Sequence, residues 1–174
     1  LSALVPVEQA SAFLYFIPGS GWRELIHRFK YDGAWRLARD MGVWYGHCLA
    51  DSGLYDTVDR IVPVPLHWRK RLRRGYNQAE VFAEKLAEEM ELPVNARLIR
   101  RVKKTKRQKE LGPAERRKNL EGAFALAKPG QMKYCRILLV DDIYTTGSTV
   151  DAIASLLKVN GAEQVDFVCA AIVK

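Results

Sequence analysis

The sequence predicts an α/β fold in which helices flank a mainly parallel sheet. Two observations point to it. From Ile61 onward, short apolar runs alternate with amphipathic helical patterns, the rhythm of strand–helix–strand crossovers. The run Ile137 to Val140 is apolar at every position, as a strand buried on both faces is. With 174 residues, 48% hydrophobic and 28% charged, the chain is long enough for one domain with a substantial core. Within that domain we separate an aromatic-rich N-terminal unit, 1–58, from a core, 59–174.

The elements follow in order. Ala12 to Ile17 is a short strand stopped by Pro18-Gly19. Ser20 then caps a helix with Trp22, Leu25, Ile26 and Phe29 on one face, and Asp32-Gly33 breaks it. A second helix places Leu37, Met41, Trp44, Tyr45 and Cys48 together. Ile61 to Val64 is a strand ending at Pro65, because proline cannot donate to a central ladder. A basic loop follows, and then Asn77, with Glu80 three residues on, opens a helix striped by Ala79, Phe82, Ala83, Leu86, Ala87 and Met90. Leu98-Ile99 and Ala123 to Ala127 are short strands on either side of a long polar stretch, 103–118. Such a stretch in a compact domain reads as a lid or binding loop. Ile137 to Val140 is the buried strand. A helix lined by Val150, Ile153, Leu156 and Leu157 ends at Asn160-Gly161, and Val165 to Val173 is the last strand.

The net charge of +8 is unevenly spread. Arg69 to Arg74 holds five basic residues and no acid, and Arg97 to Lys118 holds eleven basic and two acidic ones. What remains has twelve basic and eighteen acidic residues, so the body is acidic and two short segments hold the positive charge. Such a distribution suits a polyanion, either a nucleic acid or a multiply phosphorylated sugar. No apolar stretch approaches the roughly 20 residues of a membrane-spanning helix, and Leu1 to Pro6 has no secretion-signal pattern. Opening on Leu1 rather than methionine, the sequence leads us to expect a preceding N-terminal piece. Cys48, Cys135 and Cys169 are far apart and odd in number, so we expect core thiols of a cytoplasmic protein and no cysteine metal site. His27, His47 and His67 share no ligand spacing, and only His67 falls within a charged segment.

The chemistry concentrates in Ile137 to Val150, ILLVDDIYTTGSTV. A buried strand delivers Asp141 and Asp142 at its carboxyl end, where open α/β sheets bind ligands. Thr145, Thr146, Gly147, Ser148 and Thr149 then open a helix. Hydroxyls, a glycine and a helix N-terminus make a cradle for a phosphate monoester. Two carboxylates would repel that phosphate, but they accept hydrogen bonds well from vicinal hydroxyls. A ribose 5-phosphate satisfies both halves of the motif.

The string VDDIYTTGST resembles the motif by which type I phosphoribosyltransferases bind 5-phosphoribosyl-1-diphosphate (PRPP). VPVPLHWRKRLRRGYNQAE, TKRQKELGPAERRKNLEGAF and the KYDG at Lys30 resemble the ComF family, phosphoribosyltransferase-like proteins associated with competence and DNA uptake. The likeness runs from about Ala12 to the end. It implies a type I phosphoribosyltransferase fold with the N-terminal unit as an acceptor-binding hood. It implies Asp141 and Asp142 on the ribose hydroxyls, Thr145 to Thr149 around the 5′-phosphate, and the loop Pro65 to Arg74 facing the pyrophosphate. Arg69, Arg71, Arg74, Lys104, Lys106 and Arg107 are then the candidates to neutralise a diphosphate, with Mg²⁺ arriving on PRPP. ComF-like proteins often begin with a four-cysteine zinc segment, which this sequence lacks. Three roles stay open: an enzyme transferring phosphoribose to a nucleobase-type acceptor, a PRPP sensor, and a factor binding single-stranded DNA or uptake machinery through the basic loops with Trp68 and Tyr76 as stacking platforms.

Overall fold

The computed structural model describes residues 7–16, 35–103, 119–128, 130 and 132–173. The chain runs β1 (Ala10–Phe16), α1 (Trp35–Ser52), β2 (Arg60–Pro63), α2 (Trp68–Arg74), α3 (Gln78–Met90), β3 (Ile99–Arg101), β4 (Phe124–Leu126), β5 (Arg136–Tyr144), α4 (Ser148–Val159) and β6 (Gln164–Val173). Four strands form one sheet in the order β1-β6-β5-β2, and every pairing in it is parallel. β3 and β4 form a separate antiparallel pair.

The two central strands explain the continuous apolar runs. Leu139 and Phe167 face a core shared with Val150, Ile153 and Leu157 of α4 and with Phe124. Leu138, Val140, Val168 and Ala170 face a second core under Phe82 and Leu86 of α3 and Tyr45 of α1. Phe82, Leu86, Leu138 and Leu139 are fully buried, and burial of each such side chain stabilises the fold by about 1.5–3 kcal/mol.

The described parts of the N-terminal unit belong to this same body. β1 is an edge strand on β6, and α1 lies on α3. The expected helix from Trp22 to Phe29, and Lys30, lie outside the described residues.

The buried face of α1 differs from the expected one. It consists of Ala38, Met41, Gly42, Tyr45, Gly46 and Leu49, while Trp44 is 69% exposed and Cys48 is exposed. The reason is close packing on glycine. A Cβ at Gly42 would stand 2.7 Å from Lys85 Cβ, and one at Gly46 2.7 Å from Glu89 Cβ. α1 meets α3 through its two glycines, which turns the aromatic Trp44 outward. Of the three cysteines expected in the core, only Cys169 is buried, and Cys135 is half-buried.

Candidate functional site

β5 is the strand that builds the site. Leu139 belongs to the α4-side core and Val140 to the α3-side core. Continuing that alternation puts Asp141 on the α4 side, in register with Cys169, and Asp142 on the α3 side. Each carboxylate also holds the next amide of its own strand: Asp142 N donates to Asp141 Oδ1 at 2.8 Å, and Ile143 N to Asp142 Oδ1 at 2.7 Å. The strand continues through both acids to Tyr144, four residues beyond the expected end.

The segment expected to cradle a phosphate is a tight turn into α4. Gly147 is the N-cap, at φ 76°, a left-handed conformation that glycine adopts without steric cost. A side chain there would also have no room, since a Cβ would lie 2.6 Å from Tyr144 Oη. Thr146 Oγ1 and Ser148 Oγ are 3.1 Å apart, and Asp151 N donates to Gly147 O at 2.8 Å. Thr145 and Thr146 are exposed, Gly147 and Ser148 buried, and Thr149 half-buried. The tyrosine ring, 5.7 Å from Phe167, braces the turn from below. Burial pushes the Tyr144 hydroxyl pKa up, and the charge of Asp151 adds to that. Burial likewise raises the Cys169 thiol, helped by Asp141, so this cysteine is an inert neighbour of the acids.

The second candidate region is a correction. The basic segment after β2 is the helix α2, not a loop. His67 is its N-cap: its Nδ1 accepts from Arg69 N at 3.3 Å, and its carbonyl accepts from Lys70 and Arg71. Gly75, at φ 82°, closes the other end with its N–H on Arg71 O. A cap at each end and no internal proline let five basic residues stack in two turns. The helix orders them unequally. Arg71 Nη1 pairs with Glu80 Oε2 at 2.9 Å, and Arg74 Nη1 donates to Gln78 Oε1 at 3.2 Å. The Arg69 guanidinium carbon lies 5.1 Å over the Trp68 ring. Trp68 and Leu72 are 58% and 76% exposed.

Glu80 was expected to complete a capping box, and Arg71 takes it instead. Asn77 is the N-cap of α3 without a side-chain cap bond, because its amide donates to Val64 O at 3.1 Å. That bond ties α3 to the end of β2 and so fixes α2 between them. Lys104, Lys106 and Arg107 lie outside the described residues. Sequence reasoning missed Arg101, which burial holds below its ordinary pKa against the opposing pull of Asp141. Its place in a short strand was the available signal, but the basic residues around it made it look solvated.

Known proteins bear on this arrangement. A family model described as phosphoribosyl transferase domain matches residues 77–172. Competence protein F of Haemophilus influenzae is 35% identical over 81% of this chain and 63% of its own length. The DNA utilization protein YhgH of Escherichia coli K12 is 36% identical over 83% of this chain and 64% of its own. The chain thus spans just under two thirds of the length of these relatives. A solved structure, the purine phosphoribosyltransferase of Pyrococcus horikoshii Ot3, is 18% identical, with 78% of this chain and 74% of that chain covered at a TM-score of 0.48. The family model takes in α3, β5 with its acids, the Gly147 turn, α4 and nearly all of β6, and with the parallel sheet it places the chain in the phosphoribosyl transferase domain family, among its ComF-like members with the type I fold.

Proposed function

We propose that this chain binds PRPP in the cytoplasm and transfers its phosphoribosyl group to a nucleobase-type acceptor, releasing pyrophosphate. One observation supports this most: the acids at the end of β5 are followed within a few residues by a glycine-turned helix N-terminus. The acids suit ribose hydroxyls and the turn suits a 5′-phosphate. The diphosphate would face Arg69, Arg71 and Arg74 of α2, with Lys104, Lys106 and Arg107.

In such a transfer the bond from C1 to the diphosphate oxygen breaks with its electron pair leaving on the diphosphate. An acceptor nitrogen then bonds to C1 through its lone pair, and the proton that nitrogen carried is released to water. No protein nucleophile takes part. The chain has to hold the ribose in one pose, through Asp141 and Asp142, and to offset the charge that grows on the leaving group. Among the described residues no group of three His, Cys, Asp or Glu is placed to hold a metal ion. In this reading Mg²⁺ would arrive on the diphosphate as part of the substrate.

Calorimetry with PRPP and Mg²⁺ tests the reading, followed by pyrophosphate release against a panel of nucleobases. Changing Asp141 and Asp142 together to Asn replaces two charge-assisted bonds by neutral ones, and PRPP affinity should fall by about one to two orders of magnitude. Unchanged affinity in that variant would refute the sugar-binding assignment, and binding without turnover would leave a PRPP sensor.

A second reading, binding of single-stranded DNA, has one observation in its favour. Trp68 is exposed with a guanidinium on its ring, which is how bases are stacked and phosphates met, whereas Tyr76 is half-buried. The names of the relatives, competence and DNA utilization, agree with it. The Asn variant should bind an oligothymidylate at least as well as the unaltered chain, since two acids near basic groups are gone. No PRPP binding by any variant, with DNA binding lost in Arg71→Ala/Arg74→Ala, would favour this second reading.

A further inference from the structure

The helix α2 has two unlike sides, and none of its residues is buried. At 3.6 residues per turn, Lys70, Arg71 and Arg74 share one side, which α3 holds through Glu80 on Arg71 and Gln78 on Arg74. Trp68, Arg69, Leu72 and Arg73 share the other, and all four are exposed. Trp68 and Leu72 are one turn apart, so two large apolar side chains stand together beside two guanidiniums. The complement to this surface lies at the far end of α3. There the last turns of α1 and α3 border a cleft of about 320 Å³, lined by Leu49, Met90 and Leu92 and by Asp56, Glu89 and Glu91. Neither helix has a basic residue in its last turn to offset the negative end of its dipole. Glu89 is met by His47 Nε2 at 3.1 Å, and Asp56 and Glu91 are exposed.

We propose that the outer side of α2 docks in the α1–α3 cleft of a second copy of this chain, with Trp68 and Leu72 on its apolar residues and Arg69 and Arg73 on its acids. A chain cannot fill its own cleft. α3 has 13 residues and is therefore about 20 Å long, with α2 before its start and the cleft at its end. The two surfaces differ, so the contact is head-to-tail, and copies add to one another unless a ring closes. Charge complementarity selects this occupant, since the same chain offers an apolar pair among cations and an apolar cleft among anions. Single-stranded DNA would stack on Trp68 but gains nothing from Leu72, which is 76% exposed. Two apolar side chains in two turns are few for insertion into a lipid interface.

Sedimentation velocity over a concentration series at low salt tests this. The unaltered chain should gain mass with concentration, and raised salt should reverse the gain. Trp68→Ser/Leu72→Ser and Asp56→Lys/Glu91→Lys should each weaken association about tenfold or more. An equimolar mixture of these two variants should form a one-to-one dimer that grows no further, because one keeps its cleft and the other its helix face. That dimer also verifies that both variants are folded, and Leu72→Ser alone and Glu91→Lys alone replace a pair whose circular dichroism shows otherwise. A mixture of folded variants that stays monomeric would overturn the proposal, since like faces would then be meeting. So would full association by either variant on its own. A monomeric unaltered chain at every concentration also overturns it. Binding of an oligothymidylate or of phosphatidylserine-containing vesicles, lost in Trp68→Ser/Leu72→Ser, would then identify the occupant instead.

Discussion

Two regions of this molecule are suited to anions, and they are built in opposite ways. The turn from Thr145 to Thr149 has no basic residue, and it offers an anion backbone amides, hydroxyls and a helix N-terminus. Its geometry is fixed by one glycine pressed against Tyr144. The helix α2 relies on charge alone. It presents five basic residues on an exposed, seven-residue scaffold, and its own neighbours Glu80 and Gln78 already engage two of them. The turn can discriminate by shape. The helix supplies long-range attraction that salt will screen.

The sharpest way to break this contrast is Gly147→Ala. A left-handed backbone costs a side chain about 1–2 kcal/mol, and the new Cβ must also displace the Tyr144 hydroxyl. PRPP affinity should fall on the order of a hundredfold, because a shift of about 1 Å in a positioning loop has effects of that size. Adding Tyr144→Phe removes the nearest clashing atom and should recover part of both stability and binding, as calorimetry and thermal melts would show. A loss of stability with full PRPP affinity would mean the turn is not the phosphate site.

Arg71→Ala with Arg74→Ala should do less, about tenfold on PRPP at low salt, and the loss should shrink as salt is raised. A salt-independent loss would mean that α2 makes fixed, desolvated contacts and is not merely a source of field. Glu80→Gln probes the same helix from the other side. It releases Arg71 from its ion pair, so anion affinity should rise about twofold to threefold at low salt, with α3 stable to within about 0.5 kcal/mol. A fall in affinity would show that Glu80 holds Arg71 in its working position.

The smallest expected effect lies far from either region. Asp166, on β6, is fully buried, and burial raises its pKa despite bonds from Gln164 and the Gln9 amide. The folded state therefore holds this proton more tightly than the unfolded chain. Its stabilising contribution is complete below the ordinary aspartate value and is lost as pH rises through the raised one. Thermal melts across mildly acidic pH should show that decline in the unaltered chain and a flatter profile in Asp166→Asn. The same slope in both would assign it elsewhere.

What could be read in the sequence follows the reach of each signal. β5, β6, α3 and α4 were legible because their apolar spacing reports burial on both faces or on one stripe, and the family was legible in VDDIYTTGST. Charge was a poor guide to form. Arg69 to Arg74 looked like a loop because no apolar stripe marks a helix there, and the caps that make it one, His67 and Gly75, are local bonds without periodicity. The partner of Arg71 was hidden for a different reason, since Glu80 lies across a turn from it. The inner face of α1 was misjudged because hydrophobicity was weighed and size was not, whereas Gly42 and Gly46 decide how closely α1 meets α3.

The place of β6 also governs how the chain must assemble. Of the four sheet strands it is the last to leave the ribosome, yet it sits between β1 and β5, with Ala10 and Leu139 both opposite its Phe167. Until it arrives, β1 has no sheet to join, and the apolar edge of β5 stands open to other chains. Every pairing of β1 joins the first described strand to the last, so the entropy of closing that long loop must be met before the pairing stabilises anything. Early in synthesis the nascent chain can do little more than pack α1 on α3. The sheet that positions the acids is completed only when β6 arrives, which gives the interval before β6 emerges the highest exposure to aggregation.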